Sequence, residues 1–499
     1  MWNNFKTQPE IWFFYAFLIF FPFSIRKILL FYPIAGQFNE YTAISIYLSD
    51  IFLLAALALW LISILKNIIS DLSIVNLFQV SRGTFYLTTP LILLTLWSLA
   101  SILWSVKPTI ATFRSAKVFE FSLLFFFLAA NPHCFTWNTR RNSLVIVIAL
   151  GLINSIIGVF QFILQHSIGL DWLWESQISP NFPGVAKVLF DGSQFIRIYG
   201  LFPHPNILGG FLLISILSTM FLRNSIISRS RELRCFQSIC STWNTYRKNN
   251  FYSIIFGFIL GIQILAGFLT FSKSAILALI FSLLYYSLWL RVSRETLWAL
   301  IRRWRWVIAL LGIIVIFALF SAKFDYNTFF LKSWWERLLL LWVAKNMIVG
   351  NFLTGVGMGQ FVPEMQSYVS QSLSSWQFQP VHNVFLIILS ELGLVGISLS
   401  IWFLSRLVRN RHPSKGSGLF CFTWNKQKCE IYNRVKKEIV SRGTNSKMRD
   451  TYPLFMAFLI GFLVITLFDH YLWDIQQGQF MLWLVFGLLP GEKNNLTYI

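Results

Sequence analysis

The sequence predicts an all-α, polytopic integral membrane protein of about twelve transmembrane helices, and three observations carry that reading. Hydrophobic residues make up 56% of the chain and charged ones 12%, about half the charge of a soluble domain, and the mean hydropathy is +0.62. Apolar runs close to the ~20 residues that cross a bilayer recur along the whole chain. Lys and Arg alternate between loops, with about three on the side of the N-terminus for each one opposite, so both termini are expected in the cytoplasm.

The expected spans are 11–25, 43–65, 87–104, 111–130, 143–165, 200–222, 251–269, 275–290, 306–321, 383–405, 453–468 and 479–489. The first follows a polar start bearing only Lys6. No small-x-small cleavage site comes after it, so it is expected to stay as a span. The chain reads as one membrane domain, 1–499, with a basic cytoplasmic linker at 406–452 and two long outer loops at 166–199 and 322–381, the larger just before the tenth span. The net charge of +21 does not indicate nucleic acid, because the positive residues are spread over loops and not gathered on one soluble domain. The linker reads first as plain inserted sequence, although its clustered Lys and Arg also suit an anionic leaflet or a partner.

Cys134, Cys235, Cys240, Cys421 and Cys429 all fall in loops assigned to the cytoplasm, so no disulfide is expected. Cys421 and Cys429 with His412 lack the spacing of a zinc knuckle. CFTWN at 134–138 and 421–425, CSTWN at 240–244 and VSRGT at 80–84 and 440–444 recur at irregular intervals, unlike a solenoid unit.

The outer side carries the residues with chemistry. In RIYGLFPHPNILGGF, 197–211, Arg197 stands against the positive-inside bias, so its cost calls for solvation, a carboxylate or an anionic ligand. His204, Pro205 and Asn206 follow at the entrance to a helix, where Pro suits the first turn and free amides favour an anion. TFSKSAILAL, 270–279, puts Lys273 beside Thr270, Ser272 and Ser274. SWWERLLLLWVAKNMIVGNFLTGVGMGQF, 333–361, supplies Arg337 and then Gly355, Gly357 and Gly359, which suit either a phosphate or a tight turn. PVHNVFLIILSELGLVG, 380–396, places His382 and Asn383 at a span mouth, and histidine exchanges protons near neutrality. Trp172, Trp174, Trp334, Trp335 and Trp376 suit interfacial anchoring, and also stacking on sugar rings.

These four stretches, in this order, resemble the O-antigen ligase and polymerase superfamily of bacterial envelope glycosyltransferases. SILWSVKPTIATFRSAKVFEF at 101–121 and DHYLWDIQQGQFMLWLVFGL at 469–488 extend the likeness over 85–490. The resemblance implies an O-antigen ligase-like enzyme of the inner membrane, with its active site on the outer face. It implies metal-independent transfer of a glycan from polyprenyl (undecaprenyl) pyrophosphate to a hydroxyl of a glycolipid, glycan or protein in envelope polysaccharide and lipopolysaccharide synthesis, without a cofactor. The family's outer arginine in RxYGxFxHPN falls on Arg197, and the histidine of its HN motif on His382, followed by Asn383. The arginine of its TxSR pattern falls on Lys273, a departure, because lysine keeps the charge but loses the planar fork for two phosphate oxygens. Arg337 is then the candidate second guanidinium.

So placed, Arg197, Lys273 and Arg337 would stabilise the departing diphosphate. His382 would take the acceptor proton, and in-line attack would invert the anomeric centre. His204, Asn206 and Asn383 would support them. Arg114, Lys117 and Glu120 lie in one span, Lys117 and Glu120 spaced for a structural ion pair. Glu391 faces away from His382 on a helix and suits bracing a neighbour. Asp469, His470 and Asp474 suit cavity lining and solvation equally. No DxD pair, P-loop, HExxH or GxSxG is present, which disfavours sugar-nucleotide, ATPase, zinc-protease and serine-hydrolase chemistry. A transporter is the rival from another class, but the motif charges sit at span ends and not at the midplane.

Overall fold

The computed structural model describes residues 8–71, 82–130, 135–190, 193–236, 242–289, 326–409 and 451–489. The expected span 306–321, Cys134, Cys240, Cys421, Cys429, His412, most of the 406–452 linker and the later copies of CFTWN and VSRGT lie outside these residues, as does the Cys235 side chain.

Helices dominate. Among the described residues the longer ones, in chain order, are α1 (Pro9–Phe20), α2 (Leu48–Asp71), α3 (Arg82–Ala100), α4 (Pro108–Ala130), α5 (Trp137–Leu164), α6 (Pro205–Phe236), α7 (Thr242–Leu269), α8 (Lys273–Trp289), α9 (Tyr326–Gly350), α10 (Val384–Arg409), α11 (Tyr452–Phe468) and α12 (Gln476–Leu488). Among the described residues five are long and apolar enough to cross a membrane: Leu48–Lys66, Trp137–Leu164, Pro205–Ile226, Phe251–Leu269 and Val384–Arg409. Four shorter apolar helices stand beside them.

Almost all of the apolar stretch Pro205–Ile226 in α6 is buried, whereas little of Phe251–Leu269 in α7 is. The centre of the bundle is therefore α6, against which α5, α7, α8 and α11 pack. Phe202, Phe211, Phe458 and Phe462 are fully buried in its core, and aromatic side chains bring large apolar area to such contacts. Around this centre α1 packs on α2, α12 on α4 and α10 on α3. Inside α4 the expected Lys117–Glu120 pair is present at 2.9 Å, and Asp50 at the start of α2 joins it at 2.7 Å. A buried ammonium is thus flanked by two carboxylates, the pairing that burial demands.

Two departures from an all-helical chain occur. The segment 43–47, expected to open the second span, is strand β2 (Ala43–Tyr47), antiparallel to β1 (Arg26–Phe31) from Arg26↔Tyr47 to Phe31↔Ala43, with a register shift between Ile28 and Leu30. Arg26 closes this hairpin by a bidentate contact with Glu40 and a 2.8 Å bond to the Tyr47 hydroxyl. The 166–199 loop holds a second hairpin, β3 (Lys187–Phe190) with β4 (Ser193–Ile196). The 322–381 loop is likewise no simple loop, since 25 of its residues form α9.

The α10 span is interrupted. Gly393 has φ 67 and ψ −165, so the turn around it loses its own helical bonds and takes others from the chain after α9. The Val356 and Gly357 amides donate to the Ser390 and Glu391 carbonyls at 2.9 and 2.8 Å, and the Leu394 amide donates to the Phe352 carbonyl at 2.8 Å. The glycine-rich turn therefore docks a broken helix, which decides between the two uses open to it.

Candidate functional site

Residues 197–201 follow the second hairpin and turn at Gly200, and α5 satisfies their buried backbone with side chains. Gln161 Oε1 accepts from the Tyr199 and Gly200 amides at 3.1 and 2.8 Å, and Asn154 Oδ1 from the Leu201 amide at 2.9 Å. Such accounting is obligatory for buried peptide groups. Both polar residues are fully buried in an apolar helix, a pattern that marks a functional position in a membrane span.

Held this way, Arg197 donates from Nε to the Thr270 carbonyl at 2.6 Å and from Nη2 to Asn206 Oδ1. Asn206 passes the contact on, its Nδ2 donating to Asp469 Oδ2 at 2.6 Å. The other carboxylate oxygen, Oδ1, accepts the His470 amide at 2.9 Å and lies 3.8 Å from His382 Nδ1. That last separation is too long for a hydrogen bond, and His382 Nδ1 is buried without another partner. Asn383 fixes the approach: its Oδ1 caps α10 by accepting the Leu386 amide at 3.0 Å, and its Nδ2 donates to the Leu467 carbonyl at 3.1 Å. His382 is thereby tied to the segment that bears Asp469.

His470 stands beside His382 with ring centroids 5.0 Å apart and the Tyr41 ring at 5.7 Å. Its Nδ1 lies 2.9 Å from Asp474. Arg114 fastens this corner, donating from Nη1 to the Asp474 carbonyl at 2.7 Å and from Nη2 to the Tyr41 carbonyl at 3.2 Å. Arg114→Met keeps much of the bulk and leaves both carbonyls short of a donor. It is expected to lower stability by about 2 kcal/mol, read as a fall in Tm of the purified protein. Glu391 braces as expected, accepting the Phe361 amide at 3.3 Å and the Trp473 indole N–H at 3.5 Å.

Electrostatics assign protonation states. Burial pushes Arg197 down to about 10 against Tyr199 and Asp469, which leaves it a cation at neutral pH. Burial, with Arg197, pushes His204 down to about 3, and its neutral Nδ1 accepts the Asn206 amide at 3.2 Å. Burial also holds His382 below its ordinary value, opposed by Asp469. For Asp469 burial works upward, but His382, His470 and His204 outweigh it and hold the carboxyl well below its usual range. Burial would lower His470 as well, yet Asp474 and Asp469 prevail and raise it. The exposed Arg337 on α9 acts by its charge on Lys273, His382 and His470, and Arg197 acts on Lys273 too.

Arg197, Lys273, Arg337 and His382, spread over nearly two hundred positions, thus share one electrostatic neighbourhood, with His204, Asn206 and Asn383 around them. Asp469 and His470, whose role the sequence left open, connect it. Among the described residues His382, Asp469 and His470 also bring ligand atoms within 4.8 Å of one another. Arg337 acts by its charge on His382 and His470, and Arg197 interacts with Asp469.

Residues 256–401 match the family model described as O-antigen ligase. The stretch runs from α7 into α10 and includes Lys273, Arg337 and His382. No curated protein matches the chain. The chain is thus similar to the O-antigen ligase family over the helices that deliver three of the clustered residues.

Proposed function

We propose that the protein is an O-antigen ligase-like glycosyltransferase. It moves a glycan from a polyprenyl pyrophosphate carrier to an acceptor hydroxyl at the outer face of the bacterial cytoplasmic membrane, without a metal ion, with inversion at the anomeric carbon. One observation carries this reading: hydrogen bonds run from Arg197 through Asn206 to Asp469, which faces His382 at 3.8 Å, inside the field of Lys273 and Arg337. It joins a cationic seat for the pyrophosphate leaving group to a neutral imidazole.

In the reaction the acceptor oxygen attacks C1 of the donor sugar. The C1–O bond to phosphate breaks, its electron pair stays on the pyrophosphate, and the acceptor's proton goes to His382. Arg197, Lys273 and Arg337 receive the growing negative charge, each well-placed donor of this kind being worth about 3 kcal/mol. Asp469 faces Nδ1 of His382 and so directs Nε2 to the acceptor, the orienting role carboxylates play beside catalytic imidazoles. At 3.8 Å the pair needs to close by about 1 Å, and such bonds commonly tighten only when substrate is bound.

The test uses the full chain in liposomes with a polyprenyl pyrophosphate-linked oligosaccharide and a glycolipid acceptor, following carrier release and glycan transfer. Arg197→Ala is expected to lower both by about 10²–10³-fold, with normal insertion and folding. Unchanged rates in Arg197→Ala would remove the site assignment. Solute flux with no donor consumed would replace the enzyme by a transporter. Transfer to a second lipid-linked repeat unit, with the glycolipid ignored, would identify the polymerase of the same superfamily.

A further inference from the structure

A cavity of about 330 Å³ lies between the N-terminal hairpin and the chain 171–176, with Ser24, Arg26, Glu40, Tyr47, Asp171 and Trp174 in its wall. Its size is at the lower end of small-ligand sites, about 300–1,000 Å³. It adjoins the site on two sides. Glu40 precedes Tyr41, whose ring packs on His470, and Pro203, also in the wall, precedes His204.

Trp174 is the unusual member. It is 46% exposed, and its backbone is left-handed at φ 59, a costly conformation for a bulky residue and one that concentrates at functional positions. The turn beneath it is rigid: the Glu175 carboxylate accepts the Ile168, Gly169 and Leu170 amides at 2.8, 3.0 and 2.8 Å and the Gln161 side-chain amide at 2.8 Å. An aromatic face is thus presented on a fixed platform beside Arg26, Glu40 and Asp171, which offer hydroxyl groups both donors and acceptors. Charge separates this wall from the cationic cluster. With Arg26 matched by Glu40, Asp171 leaves the lining acidic, unfit for a pyrophosphate and well suited to a neutral sugar.

We propose that this cavity is the acceptor subsite, in which Trp174 stacks on the pyranose next to the hydroxyl that is glycosylated. The proposal rests on the reading of the protein as a lipid-linked glycan transferase and names where its second substrate sits.

The test measures binding without turnover. Full-length protein in nanodiscs is dialysed against two labelled probes, the oligosaccharide of a lipopolysaccharide core and the repeat-unit oligosaccharide freed from the donor. Wild type is expected to bind one of them, the core for a ligase and the repeat unit for a polymerase. Trp174→Ala should weaken that binding about tenfold, a loss of stacking, and Trp174→Phe should retain most of it. In the transfer assay Trp174→Ala should raise the acceptor KM about tenfold and leave the donor KM alone. Equal binding by wild type and Trp174→Ala, or no binding of either probe by wild type, overturns the proposal. Trp174-dependent binding without any transfer sinks the enzyme reading and keeps the subsite. Transfer with an unchanged acceptor KM in Trp174→Ala does the reverse.

Discussion

His382→Gln is expected to lower glycan transfer about 10²–10⁴-fold, the usual contribution of a positioned base, with the folded amount of protein unchanged. Glutamine fills most of the imidazole's volume and accepts no proton. Because burial holds the His382 pKa below its ordinary value, the wild-type imidazole stays neutral through neutral pH. Transfer should therefore be level across that range and fall only below about pH 6.5, as the base becomes protonated. Asp469→Asn gives the companion result. The carboxylate opposes the burial that lowers His382, so its removal drops that pKa further and moves the acid limb to lower pH. The rate itself should fall about 10²-fold or more, since an amide holds the imidazole tautomer poorly. A pH–rate series on the three proteins checks both statements. An acid limb that moves to higher pH in Asp469→Asn would contradict the pairing.

Gly393→Ala is expected to lose most of the folded protein. At Gly393 a Cβ would run into the Leu353 carbonyl, and at Gly355 into the backbone of Glu391. In both cases the obstacle is main chain and cannot turn aside. Each site also has a left-handed φ, 67 at Gly393 and 70 at Gly355, which alone costs an alanine about 1–2 kcal/mol. With four peptide hydrogen bonds knitting 352–357 to 390–395, displacement of either strand spreads to the rest. Both variants should give little monodisperse protein and a Tm lowered by several degrees. Gly261→Ala on α7, where nothing lies within 4 Å of the added carbon, is the control and should behave as wild type.

What could be read in the sequence follows from range. Spans such as those in α5, α6 and α10 depend only on their own apolar length, and their expected limits lie close to the apolar stretches Trp137–Leu164, Pro205–Ile226 and Val384–Arg409. The helix α9 was hidden in an expected loop because Lys332, Glu336, Arg337 and Lys345 break the apolar window. β1 and β2 were missed since each is defined by its pairing, from Arg26↔Tyr47 to Phe31↔Ala43, with a partner distant in the chain. Arg197, Lys273, Arg337 and His382 could be singled out as candidates one by one, through charges or a histidine at span mouths. Asp469 was not, because its role exists only once Asn206 and His382 meet it from other helices. Gln161 and Asn154 did carry a signal, polar side chains within an apolar run, which hydropathy averaging smooths away.

The break at Gly393 bears on how the chain enters its bilayer. Since the peptide groups around the break find their partners in 352–357, this span is not a self-sufficient unit for membrane insertion. Alone in hydrocarbon, it would strand several polar groups at several kcal/mol each. The complementary turn lies upstream and leaves the ribosome first, so synthesis delivers the template before the segment that needs it.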